Sequence, residues 1–260
     1  MNADDFRFIH QKKHILNLKK EDGQLLEPIC KQGIQNERAL LLLHGFSSSP
    51  AVFRLLIPHI KGYDSIHCPV LPGHAQSLEA FSQSTAPDWL ANVNLICNEL
   101  ISKYNKVDIL GLSLGGLLAL KLSQDYPINH LYLLAPALKL HVRLNVMLAL
   151  ALTLKYLGFK DLRNLAGNLV TTDQAEIAYR KLPINVSIEI LNFIKTHQWV
   201  HPTCPVDLFL GEKDMVVASD QVESLFTPSK TVTIHRLVNS AHVLPLDNDY
   251  NQIIDCINAH

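Results

Sequence analysis

Ser113, Asp214 and His242 are the three residues in this chain whose types and settings could together activate a hydroxyl for attack on an acyl carbon. Ser113 sits in Gly111-Leu112-Ser113-Leu114-Gly115, between the apolar runs Val107-Asp108-Ile109-Leu110 and Leu117-Leu118-Ala119-Leu120. That order reads as strand, sharp turn, helix. Gly-x-Ser-x-Gly in that setting is a nucleophile elbow, which lifts a serine hydroxyl above a sheet. The flanking glycines let helix and strand pass closely around a serine in strained backbone geometry. The pentapeptide alone arises by chance in roughly one chain in ten of this length, so the rest of the chain must decide.

A serine needs a general base, and the base needs a carboxylate to orient it. Elbow enzymes supply them in the order Ser, Asp or Glu, His. Leu208-Phe209-Leu210-Gly211-Glu212-Lys213-Asp214 reads as a strand running into a polar turn, with Glu212 and Asp220 as rival carboxylates. The next strand ends in Asn239-Ser240-Ala241-His242. His235 is a rival base, but a mid-strand position suits that role less well. Histidine fits because its pKa lies near working pH. An oxyanion hole needs two backbone N–H donors, one after the nucleophile and one after an early strand. These are Leu114 and Phe46, with Gly45 expected to make the tight turn that aims the Phe46 amide. His44 reads as a hydrogen-bonding structural residue, Ser47 as one that could touch substrate, and Ser49 as a helix cap before Pro50.

These residues need a scaffold. Continuous apolar runs at Ala39-Leu40-Leu41-Leu42-Leu43, 65–70, 107–110, 131–134, 206–210 and 231–238 suit parallel strands buried on both faces. Helical patterns lie between them, one opening at Pro87 or Asp88, one at Ser113 and the last near Tyr250. The alternation predicts an α/β fold with a doubly wound, mostly parallel sheet. It breaks at residues 137–202, which show helical periodicity, little strand signal and divisions near Gly158 and Pro183. The expected organisation is a core of residues 1–136 and 203–260 with a helical cap, 137–202, inserted over the strand C-terminal ends, where such sheets bind ligands. Residues 140–157 are apolar almost all round. One reading packs one side on the core and the other on cap helices; the other gives Leu148 and Leu152 to an acyl pocket or a lipid surface.

Composition excludes several classes. At 260 residues the chain is long enough for one ample domain. Hydrophobic residues at 48% against 18% charged fit a large core rather than disorder. A net charge of −1 gives no basic excess for nucleic acid or anionic membrane. Lys12, Lys13, Lys19 and Lys20 read as a solvated face of N-terminal strands. Five cysteines without a Cys-x-x-Cys pair read as reduced thiols, pointing to the cytoplasm. No apolar leader segment is evident, and the most apolar stretch is too short to span a bilayer. No His-Glu-x-x-His, Cys-rich cluster or Gly-rich phosphate loop appears, so neither metal nor cofactor is expected.

Taken in order, Leu43-His44-Gly45-Phe46-Ser47, Leu71-Pro72-Gly73-His74, Asp88-Trp89, the elbow with Gly116, Gly211 with Asp214, and Ser240-Ala241-His242-Val243 with Leu246-Asp247 resemble the α/β-hydrolase superfamily. Within it the chain is similar to the bacterial carboxylesterase and monoacylglycerol lipase group. The cap adds Tyr179-Arg180-Lys181-Leu182-Pro183. Ala75 departs from the glycine usual after Pro-Gly-His, and only a local backbone change is expected there. The resemblance implies hydrolysis of carboxylic esters of short-to-medium acyl chains without a cofactor. Ser113 would attack, His242 relay the proton, Asp214 orient it, and the Phe46 and Leu114 amides hold the oxyanion. The implied partner is a small ester with an apolar acyl group, with no nucleic acid and no stable membrane insertion. An acyl thioesterase, a carbon–carbon hydrolase, an aminopeptidase and a non-catalytic binding module on the same fold remain alternatives.

Overall fold

The computed structural model describes residues 2–260. The first strands, β1 (Phe6–His10) and β2 (Lys13–Asn17), form a hairpin, followed by β3 (Ile29–Gln32), β4 (Arg38–Leu43) and β5 (Ser65–Cys68). Helices α1 (Leu78–Gln83) and α2 (Ala86–Lys103) precede β6 (Lys106–Leu112), α3 (Leu114–Asp125) and β7 (His130–Leu134). Then come α4 (Leu144–Tyr156), β8 (Asp161–Arg163), β9 (Glu176–Tyr179), β10 (Lys181–Pro183) and α5 (Ile184–Thr196). The chain ends with β11 (Val206–Gly211), α6 (Ser219–Phe226), β12 (Val232–Leu237) and α7 (Tyr250–Ala259).

The central sheet has seven strands in the order β12-β11-β7-β6-β4-β5-β3. All its pairings are parallel except that of β3 with β5. The reason lies in the side chains. β7 and β11 are buried at every position, and β4 and β6 at all but their first. Such runs gain from cover on both faces. Leu40 and Leu42 join Val52, Phe53 and the α7 residues Ile253 and Ile257 on one face. Leu41 and Leu43 join Trp89 and Val93 of α2 and Leu117 and Leu118 of α3 on the other. Strand alternation thus sorts one sequence run into two apolar layers.

The doubly wound, mostly parallel sheet read from the sequence is present. The basic patch of Lys12, Lys13, Lys19 and Lys20 is exposed, as read. Two local expectations differ. Ser49 makes no side-chain cap, and Pro50–Phe53 is a single 3-10 turn. The helix expected at Pro87 or Asp88 starts at Ala86, where Thr85 and Asp88 form a reciprocal capping box.

Residues 137–202 carry helices α4 and α5, but also strands β8, β9 and β10. β9 pairs with β1, and β8 with β10. Strands of three or four residues are too short to show a period of two, so a helical pattern is all the sequence displays there. Gly158, left-handed at φ 87°, follows α4, and Pro183 sits at the start of α5. These are the two divisions read from the sequence. The packing of α4 on the core and on a neighbouring helix is present, but it covers less of the helix than expected. Only Leu148 is buried, while Val146, Leu150 and Leu152 are about half exposed. α4 packs against α5, while Val146 and Leu150, on the side away from Leu148, face outward. Among the described residues no helix is long and apolar enough to cross a membrane.

Candidate active site

β6 delivers Ser113 at its C-terminal end. The residue has φ 53° and ψ −110°, a conformation costly for any side chain bearing a Cβ. It persists because its neighbours over-determine it. The Ser113 amide donates to the Leu134 carbonyl at 3.0 Å, and its carbonyl accepts from Ala137 at 3.1 Å and Leu117 at 3.2 Å. Gly115 is required by close approach, since a Cβ there would fall inside the Leu43 carbonyl. Helix α3 therefore crosses β4 with no room for a side chain.

The elbow points its hydroxyl at a histidine 129 residues away. Ser113 Oγ lies 3.1 Å from His242 Nε2. On the far side of the ring, Nδ1 donates to Asp214 Oδ2 at 2.8 Å. The other Asp214 oxygen accepts the Val216 amide at 2.7 Å and the Val217 amide at 2.9 Å. The carboxylate thus reaches the turn after β11 already held. The rivals lie elsewhere. Glu212 and Asp220 both face Arg236, and His235 donates to Asp207.

The loop bearing His242 is fixed from beneath. Asp247 accepts the Ala241 amide at 2.8 Å and also the amides of Val170 and Thr171. Asp249 accepts the Ser240 hydroxyl at 2.9 Å and the Asn239 amide at 2.7 Å. The His242 amide donates to the Asn168 carbonyl at 3.1 Å, and Asn168 Oδ1 takes the Met215 amide at 2.9 Å. Asn168 therefore bridges the loops bearing His242 and Asp214. Sequence reasoning missed it, because a lone loop asparagine carries no pattern. Asp247 was visible as part of the Leu246-Asp247 motif, but its task was not.

The surroundings raise the proton affinity of His242. Burial opposes the cation at His242, yet the Asp214 charge and hydrogen bond, with help from the Glu176 charge, outweigh it and hold the pKa above its ordinary value. Glu176 is buried, and burial pushes its own pKa up while the Gly167 amide donates to it at 2.8 Å. His44 is different. Burial lowers it to about 4, and it remains a neutral bridge, donating from Nδ1 to the Gly45 carbonyl at 2.9 Å and accepting the Leu71 amide at Nε2 at 3.1 Å.

Leu114 opens α3, so its amide is one of the unpaired donors at a helix N-terminus. Phe46 follows Gly45, whose Cα faces Ser113 so closely that a Cβ there would stand 3.6 Å from the serine Cβ. Among the described residues neither amide has a protein acceptor. The left-handed residue of this loop is Ser47, at φ 60°. Ser47 is buried, with its hydroxyl accepting from Asn164 at 3.0 Å and its carbonyl from Tyr179 at 3.4 Å. Contacts from residues 164–179 thus set the Phe46 loop. Leu148 is buried within α4, and Leu152 is 53% exposed on it.

This geometry agrees with what the chain resembles. It matches the alpha/beta hydrolase family over residues 40–255 and belongs to that family. It is 28% identical over 222 residues to the thermostable monoacylglycerol lipase of Bacillus sp. (strain H-257), covering 83% of this chain and 87% of that one. Over 96 residues it is 36% identical to a carboxylesterase of Bacillus subtilis (strain 168), 36% of this chain and 39% of that one. A solved structure described with LipS and LipT, two metagenome-derived lipolytic enzymes, superimposes with a TM-score of 0.79 at 25% identity, covering 90% of this chain and 98% of that one. A monoglyceride lipase variant from Saccharomyces cerevisiae shares the fold, with a TM-score of 0.71 at 13% identity and 89% of each chain covered.

Proposed function

We propose that this chain is a serine hydrolase of carboxylic esters, of the carboxylesterase or monoacylglycerol lipase type, acting through an acyl-enzyme. The observation that carries the reading is the hydrogen-bonded series Ser113, His242, Asp214 at 3.1 and 2.8 Å, headed by a serine in strained backbone geometry. The names of the relatives support it.

Ser113 Oγ adds to the ester carbon while His242 Nε2 takes its proton. The tetrahedral oxyanion forms within reach of the Phe46 and Leu114 amides. Collapse expels the alcohol, which leaves with the proton from His242. Water then repeats the cycle on the acyl-enzyme, with His242 again as base. Asp214 keeps the imidazole in the tautomer that can accept from Ser113.

Residues 137–202 act as the cap in this reading, with Leu148 and Leu152 toward an apolar acyl group. Substrates are esters of short-to-medium acyl chains, monoacylglycerols among them. Five unpaired cysteines support residence in a reducing cytoplasm. The test is a panel of p-nitrophenyl esters from acetyl to hexadecanoyl, with monoacylglycerols, acyl-CoA thioesters and triacylglycerols beside them. Turnover of medium-chain esters, abolished in Ser113→Ala, is expected. Turnover confined to thioesters, or to long triacylglycerols at an emulsion surface, contradicts the reading.

A further inference from the structure

At the end of the sheet remote from Ser113, Asp207 of β11 gathers four metal-ligating side chains around a buried carboxylate. His130 Nε2 donates to Oδ2 at 2.7 Å, and His260 Nε2 lies 3.2 Å from the same oxygen. His235 Nε2 donates to Oδ1 at 2.6 Å, and Cys256 Sγ stands 3.9 Å from that same nitrogen. The groups come from β7, β11, β12, α7 and the residue after it. No sequence motif joins them, which is why spacing alone suggested no metal.

We propose that Asp207, His235 and Cys256 form a binding site for one divalent cation of the zinc class. The three candidate ligand atoms lie within 4.8 Å of one another. His235 Nε2 carries at most one proton, yet it faces both an oxygen and a sulfur. A cation seated between the three would replace the His235 Nε2 proton and the Cys256 thiol proton, both released to solvent, and take one ligand atom from each residue. The set of imidazole, thiolate and carboxylate suits zinc and its neighbours rather than calcium or magnesium, which prefer oxygen. Tetrahedral zinc at roughly 2.0–2.1 Å from nitrogen and oxygen separates those ligands by about 3.3 Å. His235 must therefore withdraw from Asp207 by some tenths of an ångström. It lies on β12, the edge strand, and is half-buried, so it has room.

The surroundings resemble the outer layer of built metal sites. The His130 and His260 rings hold the second oxygen of Asp207, so the carboxylate presents Oδ1 in a fixed direction. The His235 ring stacks on Phe209 at 4.4 Å with a 12° interplanar angle, which fixes its plane. Asp207 lies near the start of the strand that leads to Asp214, and His235 lies on the strand that leads to His242. A cation here would tie α7 to those two strands and strengthen them without touching substrate.

The experiment uses the full chain, stripped with a chelator and desalted. Zn2+ titration by calorimetry should give one site per chain, and Co2+ should produce thiolate-to-metal absorption in the near ultraviolet. Cys256→Ser should abolish that absorption and weaken Zn2+ binding at least about tenfold, with an unchanged circular dichroism spectrum. His130→Gln should weaken binding by about 10–100-fold while retaining the absorption. Zn2+ should raise the thermal midpoint of the wild-type chain and not of Cys256→Ser. Ser113→Ala should bind Zn2+ as wild type does, so failure here is separate from failure of the hydrolase reading. Absence of binding, or binding and absorption that Cys256→Ser leaves unchanged, overturns the proposal.

Discussion

Asp214 Oδ2 accepts the Nδ1 proton of His242 at 2.8 Å, and that one hydrogen bond decides what the other side of the ring can do. With the proton on Nδ1, Nε2 is a bare acceptor facing Ser113 Oγ at 3.1 Å. Asp214→Asn keeps the shape but reverses the bond, because an amide can donate where a carboxylate cannot. In a serine protease with the same three groups this change costs about 10⁴ in turnover. A similar loss in kcat is expected here, while Glu212→Gln, facing Arg236, should stay near wild type. A steady-state comparison of the two variants checks the choice of acid.

The pH profile has a definite sign. His242 must be neutral to act as base, and its pKa is held above the ordinary 6.5 by charges that outweigh burial. The value of kcat/KM should therefore rise with pH through a single group whose midpoint lies above 6.5. Glu176→Gln removes one of those charges and should move the midpoint downward. A midpoint that stays fixed in Glu176→Gln contradicts this electrostatic account.

Much of this was legible in the sequence because it rested on local rules. The buried runs, the elbow glycines and the strand ends bearing Asp214 and His242 each announce themselves within ten residues. What escaped was assembled from a distance. Asn168 holds two loops, one through its backbone carbonyl and one through its side-chain Oδ1, and a lone loop asparagine carries no pattern that announces this. β9 exists because β1 offers it an edge, not because four residues favour a strand. The left-handed residue Ser47 is held by Asn164 and Tyr179, more than a hundred residues away in the chain.

Ala75 holds a left-handed backbone conformation at an energetic cost. Its φ is 52°, a region that costs a non-glycine residue roughly 1–2 kcal/mol. Glycine there removes the strain but gains unfolded-state entropy worth about 0.4–1 kcal/mol. Ala75→Gly should thus stabilise by about 0.5–1 kcal/mol, read as a thermal midpoint higher by roughly 1–4 °C. Ala75→Val should destabilise. A lower midpoint for the glycine variant would show that the backbone here is not strained.

The acyl pocket can be tested by size. Each methylene buried in a closed apolar site adds about 0.8 kcal/mol until the site is full. Specificity constants across the ester panel should therefore climb with chain length and then fall. Leu148→Trp and Leu152→Trp should shift the maximum to shorter chains if both face the acyl group. An unmoved maximum with lower stability makes Leu148 a packing residue only.

The central claim is that Ser113 is the nucleophile, and covalent trapping tests it most directly. A fluorophosphonate incubated with the folded chain should add one phosphonyl group, located on Ser113 by peptide mass mapping. The same reagent should leave Ser113→Ala unlabelled, and that variant should lose at least about a thousandfold in esterase activity. Labelling at another serine, or substantial activity in Ser113→Ala, would contradict the account.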